Sequence, residues 1–194
     1  MDPIIHKTAE VSPQAKIGKG TRIWHNCQAL AGAVIGKNCT IGHNCLIAAD
    51  ANIGNGVKIE SNTDIWGGVT LEDYVFVGPS AVFTNDPHPR AKYPKKDFPA
   101  YGVWKPTLVK EGATIGANAT IVCGVTIGRW AFIAAGAVVA NDVPDYGLAM
   151  GVPARPAGWM CECGNKLVFK NGKAACLVCK RGYSKKGIKV APTQ

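Results

Sequence analysis

Apolar residues recur along this chain at intervals of six. From Ile5 to Phe83 every sixth residue is apolar, and the residue four positions further on is nearly always small or β-branched. The register is lost at Thr84, resumes at Val109 and continues to Val139. A period of 3.6 would indicate an amphipathic helix and a period of 2 a half-buried strand. A period of six predicts short strands joined by corners, with three hexads in each triangular coil, so these twenty hexads make between six and seven coils.

The repeat predicts an all-β body over residues 1–158. Its Ile and Val side chains would point inward and form one apolar column, held together by contacts between neighbouring coils. Cys27, Cys39 and Cys45 fall in the inward series of small residues, so we interpret them as core residues. Residues 84–108 interrupt the register and form a long inserted loop, and insertions of this length in a compact repeat are usually functional or disordered.

Charge and hydropathy narrow the possible cellular location and binding partners of the protein. No apolar stretch approaches the ~18 residues of a membrane span, and the N-terminus lacks the features of a signal peptide, so we expect a cytoplasmic protein. Between Cys161 and Gln194 there are eight Lys or Arg residues and one acidic residue, whereas the body is nearly neutral. A basic tail can bind nucleic acid or acidic surfaces. We interpret this one as a solvated tail, with nucleic acid as a lesser alternative.

The tail, residues 159–194, contains four cysteines. Cys161 and Cys163 form one pair, and Cys176 and Cys179 form a second pair a short distance further along the chain. Two close thiol pairs in a cytoplasmic chain favour a tetrahedral zinc site over disulfides. We therefore predict a zinc-ribbon-like tail ordered by structural zinc, with two disulfides or free thiols as the alternative.

The hexads, followed by Gly151-Val152-Pro153-Ala154-Arg155-Pro156, resemble the hexapeptide-repeat acyltransferases. That resemblance implies a left-handed parallel β-helix, acetyl-CoA as co-substrate, and a homotrimer with sites at the subunit interfaces. Several segments resemble a narrower group, the bacterial 3-N-acetyltransferases of nucleotide-linked amino sugars. These segments are residues 23–25, 78–85, 107–110, 121–128 and 151–155. The chain departs from the group at His88, where many members carry Asn, and at Gly67-Gly68, where relatives tend to carry polar residues.

The narrower resemblance implies acetyl transfer to the amino group of a UDP- or dTDP-linked 3-amino sugar, for surface polysaccharide biosynthesis. Three alternatives stay open. One is O-acetylation of a sugar hydroxyl. Another is a zinc protein similar to the γ-class carbonic anhydrases, for which His25 and His43 stack but no third histidine has fitting spacing. The last is a non-enzymatic scaffold with a nucleic-acid-binding tail.

The catalytic candidates lie at the start of the loop. N-acetylation needs a base to take the amine proton, and residues 84–90 resemble the segment that carries the catalytic base in thiogalactoside and maltose acetyltransferases. We therefore assign the base to His88 and sugar or amine contacts to Asn85. The competing mechanism has no protein base, and water or the coenzyme sulfur then receives the proton.

Other candidate residues are assigned to the two substrates. We expect Arg90 to face phosphates or a sugar carboxylate, because a guanidinium binds such groups in a bidentate manner. The remaining substrate-binding candidates are Trp24, His25, Asn62 and Trp66. The resemblance places the coenzyme's pantetheine arm along backbone amides of the last coils. The coenzyme-binding candidates are Lys110, Ala117, Asn118, Ala135 and Arg155. We expect His6, at the start of the body, to be a structural or surface residue.

Overall fold

The computed structural model describes residues 1–92 and 103–193. These residues form 26 strands joined by tight corners, and no helix occurs among them. It follows that the described ranges contain no apolar helix long enough to cross a membrane.

The body is a parallel β-helix with three faces. Face 1 contains β1 (Ile4–Ile5), β4 (Arg22–Ile23), β7 (Thr40–Ile41), β10 (Lys58–Ile59), β13 (Phe76–Val77), β16 (Thr114–Ile115), β19 (Phe132–Ile133), β21 (Gly147–Met150), β22 (Arg155–Met160) and β23 (Lys166–Leu167). Face 2 contains β2 (Glu10–Val11), β5 (Gln28–Ala29), β8 (Leu46–Ile47), β11 (Asp64–Ile65), β14 (Val82–Phe83), β17 (Thr120–Ile121) and β20 (Val138–Val139). Face 3 contains β3 (Lys16–Ile17), β6 (Val34–Ile35), β9 (Asn52–Ile53), β12 (Val69–Leu71), β15 (Thr107–Val109) and β18 (Thr126–Ile127).

Within the regular coils each strand pairs in parallel with the third strand after it, so equivalent hexad positions lie directly above one another. On face 1, for example, Ile41 pairs with Ile59 and Ile59 with Val77. This register confirms the triangular coil of three hexads predicted from the sequence. It also produces three columns of corner residues, which carry most of the candidate site.

The interior is the predicted apolar column. The inward positions from Ile23 to Val139 are buried, whereas Ile5, Val11 and Ile17 of the first coil are exposed or half-buried because only one neighbouring coil covers them. Burying an Ile or Val side chain contributes roughly 1.5–3 kcal/mol.

The small-residue series has a second role, because its polar members bond to corner carbonyls of the next coil. Thr21 Oγ1 donates to the Gly36 carbonyl at 2.7 Å, and the Cys39 thiol donates to the Gly54 carbonyl at 3.1 Å. Cys27 and Cys45 are also buried and make the same kind of contact. The prediction that these three cysteines are core residues is confirmed.

The coil count differs from the prediction. Face 1 stacks eight strands from β1 to β21, so the body has seven coils and the start of an eighth. In the last turn Ile127 pairs with Val143 and Phe132 with Leu148, a closer spacing along the chain than three full hexads. This shortening moves the final apolar positions out of the hexad register, so the count of hexads in the sequence did not include the last coil.

The inserted loop is a little shorter than predicted. It connects β14 to β15, which begins at Thr107, so it spans residues 84–106 rather than 84–108. Phe76, which pairs with Lys58 in the coil before the loop, pairs with Thr114 in the coil after it. The insertion therefore lengthens one coil without disturbing the stacking.

The tail forms a small antiparallel unit. β22 pairs with β21 and β23, and three further strands form a separate sheet. These strands are β24 (Lys173–Ala175), β25 (Gly182–Lys186) and β26 (Lys189–Pro192).

The coil spacing requires glycine at particular corners. A Cβ added at Gly36 would lie 2.4 Å from the Gly54 carbonyl oxygen in the next coil, so Gly36→Ala must push two coils apart. We expect Gly36→Ala to lower the free energy of unfolding by ~1–3 kcal/mol, the usual cost of overpacking. Thermal and denaturant unfolding would measure it.

The matched control is Lys37→Ala at the adjacent exposed position, which should stay within about 0.5 kcal/mol of the native protein. Equal stability of Gly36→Ala and Lys37→Ala would contradict this account of the stacking.

Candidate active site and metal centre

A column of histidines lies on the corner between faces 1 and 2, called here the histidine corner. The ring centroids of His25 and His43 are 5.7 Å apart, which confirms the stacking expected from their spacing. His6 extends the column, with its ring 3.7 Å from that of His25. The sequence did not reveal this neighbour, because the residue three hexads before His25 is Lys7. Desolvation and the nearby charge of His25 lower the pKa of His6, so its ring is neutral at neutral pH.

An amide ladder runs beside the histidines. The Asn26 amide donates to the side-chain oxygen of Asn44 at 3.3 Å, and the Asn44 amide donates to that of Asn62 at 3.1 Å. All three residues have positive φ, between 54° and 61°, a conformation that asparagine tolerates better than most residues. The exposed Trp24 stacks beside His25 with ring centroids 6.3 Å apart. The structure thus places Trp24, His25 and Asn62 on one corner.

Three candidate coenzyme-binding residues lie on the same corner, in coils nearer the C-terminal end of the β-helix. They are Ala117, Asn118 and Ala135. The backbone N–H of Asn118 donates to Pro79 at 3.0 Å, and that of Gly136 donates to Ala117 at 2.8 Å. In the described part of the chain, the N–H groups of Ala117 and Ala135 make no backbone hydrogen bond. Donors on Ala117 and Ala135 therefore remain for a ligand lying along this corner.

The corner between faces 2 and 3, called here the loop corner, carries a second group of candidates. Trp66 and Asn85 line one cavity of about 460 Å³, together with Trp104 of the inserted loop and with Asp50, which had not been predicted. The Asn85 carbonyl accepts the backbone N–H of Lys105 at 2.9 Å, so the two ends of the loop are tied together beside the cavity.

His88 and Arg90 lie further out on the loop and are exposed. Asp86 Oδ1 accepts the backbone N–H of His88 at 2.8 Å, and the Arg90 guanidinium donates to the Pro89 carbonyl at 2.8 Å. Both bonds are local to the loop. Among the aromatic residues of the inserted loop, Trp104 contributes to the cavity, whereas Tyr93, Phe98 and Tyr101 lie outside the described residues.

The candidate residues therefore fall into separate places on one chain. The histidine corner and the loop corner are a hexad apart, at most about 20 Å of extended chain. Lys110 lies on the third corner, between faces 3 and 1, away from the other coenzyme candidates. Arg155 begins β22 and lines an apolar cavity of about 230 Å³ at the end of the β-helix, with Asp142 and Trp159.

The four tail cysteines converge as their spacing predicts. The sulfur atoms of Cys161 and Cys179 are 3.4 Å apart, those of Cys163 and Cys176 are 3.5 Å apart, and all four lie within 4.8 Å of one another. A disulfide requires about 2.05 Å. Four sulfurs each ~2.3 Å from one zinc ion would be about 3.8 Å apart. These thiols are therefore not paired as disulfides, and they fit a tetrahedral metal ion.

Local hydrogen bonds favour the thiolate form of two of these sulfurs. The Asn165 amide donates to Cys163 and lowers the pKa of Cys163 to about 6. The backbone N–H of Cys179 lowers the pKa of Cys176, whereas burial raises that of Cys161. Among the described residues, no group of three or more converging metal-ligand side chains other than these cysteines is found, and the histidine column forms none.

Glu162, between two of the cysteines, joins the tail to the last coil. Its carboxylate accepts the Tyr146 hydroxyl at 3.2 Å and pairs with Arg181, while its backbone N–H donates to the Tyr183 hydroxyl at 3.1 Å. Burial raises the pKa of Tyr146 to about 12, so this hydroxyl keeps its proton. Tyr146 also belongs to the tail's apolar cluster. The expected boundary after residue 158 falls inside β22, which connects the two units.

Comparison with known protein families supports the assignment of a hexapeptide repeat. The six-repeat model of the bacterial transferase hexapeptide family matches residues 14–49, 50–85 and 106–141, together more than half of the chain. The chain belongs to this family.

Individual relatives are acetyltransferases of several kinds. Over 82 residues the chain is 50% identical to the dTDP-3-amino-3,6-dideoxy-alpha-D-galactopyranose 3-N-acetyltransferase of Aneurinibacillus thermoaerophilus, a match covering 42% of this chain and 43% of that protein. It is 31% identical over 146 residues to the serine acetyltransferase of Haemophilus influenzae, covering 75% of this chain and 38% of the relative. The chain therefore matches less than half the length of either relative.

Two solved structures share the fold. One is a mutant GDP-perosamine N-acetyltransferase from Caulobacter crescentus in complex with CoA and GDP-perosamine, with 25% identity and a TM-score of 0.51 over 81% of this chain and 57% of that chain. The other is the acetyltransferase domain of PglB from Neisseria gonorrhoeae in complex with acetyl coenzyme A, with 24% identity and a TM-score of 0.52 over 80% of this chain and 57% of that chain. The second similarity supports the fold alone.

Proposed function

We propose that this protein transfers the acetyl group of acetyl-CoA to the amino group of a nucleotide-linked amino sugar, in the biosynthesis of a surface polysaccharide. The observation that carries this proposal is the 50% identity to a dTDP-3-amino-sugar 3-N-acetyltransferase. Further support comes from the related fold of the Caulobacter enzyme, which was solved with CoA and a nucleotide amino sugar.

The geometry favours a site shared between subunits of a homotrimer. Within one chain the histidine corner and the loop corner lie on opposite edges of face 2. Exposed apolar side chains follow that face and its loop-corner edge, where Leu30 is 42%, Trp66 39% and Val82 49% exposed. Such a surface is suited to self-association, and cyclic symmetry would close the assembly. The histidine corner of one subunit would then face the loop corner of the next.

The acyl donor would lie along the upper histidine corner. The N–H groups of Ala117 and Ala135 would hold the pantetheine arm, with Asn118 beside them. Arg155, at the same end of the β-helix, would meet the coenzyme phosphates. Lys110 would reach those phosphates only across a subunit interface.

The acceptor would bind between the two corners. Asn85 and Trp66 would contact the sugar from one subunit, and Trp24, His25 and Asn62 from the next, while Arg90 would bind the nucleotide phosphates. The amine nitrogen attacks the thioester carbonyl, the C–S bond breaks, and His88 takes the amine proton. Placing both reactants together supplies much of the rate enhancement.

We further propose that the tail cysteines hold a structural zinc ion. The sulfur geometry and the unpaired thiols support this assignment. Zinc would fix Cys161 and Cys163 against Cys176 and Cys179, and so hold the tail against Tyr146. Acetyl transfer itself would use none of these residues.

The first test concerns the base. His88→Ala should lower kcat by ~10²-fold or more, the usual contribution of a positioned base, with KM for acetyl-CoA little changed. Steady-state kinetics with free thiol as readout would measure this. His6→Ala, outside the proposed proton path, is the control. Near-native kcat for His88→Ala between pH 6 and pH 9 would favour the mechanism without a protein base.

The second test concerns assembly. Light scattering at micromolar concentration should give the mass of three chains, because a complete site needs two neighbouring subunits. Val82→Asp, on exposed face 2, should shift the protein towards monomer and reduce activity in parallel. A fully active monomer would overturn the shared-site arrangement.

The third test concerns the metal. Purified protein should contain one zinc ion per chain by atomic absorption, and Cys179→Ser should lose it, whereas Lys180→Ala next to it should not. Metal removal should disorder the tail and leave the β-helix folded, because the two apolar clusters are separate. Metal-free protein with four freely reactive tail thiols would refute a structural zinc.

A further inference from the structure

The cavity at the loop corner has aromatic walls and one acidic lining residue among the residues that the structure describes. The described residues that line its roughly 460 Å³ are Leu30, Ala48, Ala49, Asp50, Trp66, Gly67, Asn85 and Trp104. A space of this size lies within the range of small-molecule sites. Most of its surface is apolar, and Asp50 and Asn85 are the polar residues among the described residues that line it.

Two indole rings form its walls. Trp66 is 39% exposed and Trp104 is 55% exposed, although indoles are usually more buried than this. Indoles left open beside a cavity provide flat apolar surfaces for the face of a planar or cyclic ligand. A pyranose ring, with apolar C–H faces and polar edges, matches such walls.

Gly67 makes room for one of these walls. A Cβ added there would lie 2.9 Å from Trp104 Cζ3 and 2.8 Å from the Ala49 carbonyl oxygen. The adjacent Gly68 has φ +83°, and its carbonyl accepts the N–H of Thr107 at 3.1 Å, which anchors the end of the loop that carries Trp104. The glycine pair therefore has a physical role in forming this cavity.

The charge of the cavity indicates which part of a ligand it binds. Among the described lining residues, Asp50 has the only charged side chain, and no ion pair with it is found in the described chain. A carboxylate repels phosphate groups and attracts a protonated amine. The diphosphate of a nucleotide sugar would therefore lie outside the cavity and its amino sugar inside.

We propose that this cavity binds the amino-hexose ring of the acceptor and that Asp50 selects an amine over a hydroxyl. Trp66 and Trp104 pack against the ring, and the Asp50 carboxylate binds the ammonium group, which releases one proton to water to become the neutral amine that attacks the thioester. Asn85 lies at the same cavity and bonds to neighbouring ring substituents. The inference rests on the proposed function, and it adds a specificity residue that the repeat pattern did not reveal.

The test is equilibrium binding without acetyl-CoA. Two dTDP-hexoses that differ only in an amino or a hydroxyl group at C3 would be titrated, with tryptophan fluorescence or calorimetry as readout. The native protein should bind the amino sugar about tenfold more tightly, the value expected for a hydrogen bond to a charged group. Asp50→Asn should remove this preference by weakening only the amino sugar. Asparagine suits the Asp50 backbone, whose φ is +61°, so the variant should fold normally.

Two further variants make the result specific. Asn52→Ala, exposed and just beyond the cavity on the same coil, should leave both affinities unchanged. Gly67→Ala should weaken both sugars together by displacing Trp104. Equal weakening of both sugars by Asp50→Asn, or no effect on either, would overturn the proposal. If the native protein prefers the amino sugar through Asp50 but transfers no acetyl group, the proposed function fails and the binding inference stands.

Discussion

In-register hydrogen bonding between parallel coils is the constraint from which the rest of this structure follows. The strands of each coil bond to the coils directly above and below, so a residue type chosen at one hexad position is repeated as a column along the molecule. Isoleucines form the core column in this way, and asparagines form a ladder of side-chain amides on the histidine corner. Glycine is required where coils approach most closely, as at Gly36.

Two candidate binding cavities, one at the loop corner and one at the end of the β-helix, occur where that constraint is relaxed. The insertion after β14 lengthens one corner and leaves the pairing on both sides intact, so a loop can wall a cavity at little cost to the core. The shortened last turn ends the regular stack and allows β22 to turn back against β21. β22 begins at Arg155, beside the terminal cavity, and ends one residue before Cys161. The proposed coenzyme end and the metal centre are thus connected by a single strand.

The sequence predicted the body well because burial repeats at a fixed interval. The inward series, the core cysteines, the stacking of His25 on His43 and the convergence of the four tail cysteines all follow from spacing. Residue spacing did not predict contacts made by side chains that reach out of their own hexad register. His6 reaches His25 although Lys7 is the residue in register below it.

The hexad pattern also did not predict contacts between segments that are distant in the chain. Asp50 and Trp104 line one cavity although they are far apart in the chain, and Glu162 joins Tyr146 because the tail packs on the last coil. The final coil was missed because its shortening removes the hexad signal. The role of His88 rests on resemblance and that of Arg90 on the chemistry of its guanidinium, since both residues lie on an exposed loop and their hydrogen bonds are local.

The central claim is acetyl transfer to a nucleotide-linked amino sugar, and one measurement tests it directly. The protein would be incubated with acetyl-CoA and a panel of UDP- and dTDP-linked hexoses that carry an amino group at C3, at C4 or at neither position. Thiol release and the mass of the product would be followed together. The account predicts stoichiometric thiol release and a product one acetyl group heavier, with the amide on the amino nitrogen, for at least one 3-amino sugar. Acetylation of sugars without an amino group at an equal or higher rate, or no transfer to any member of the panel, would contradict it.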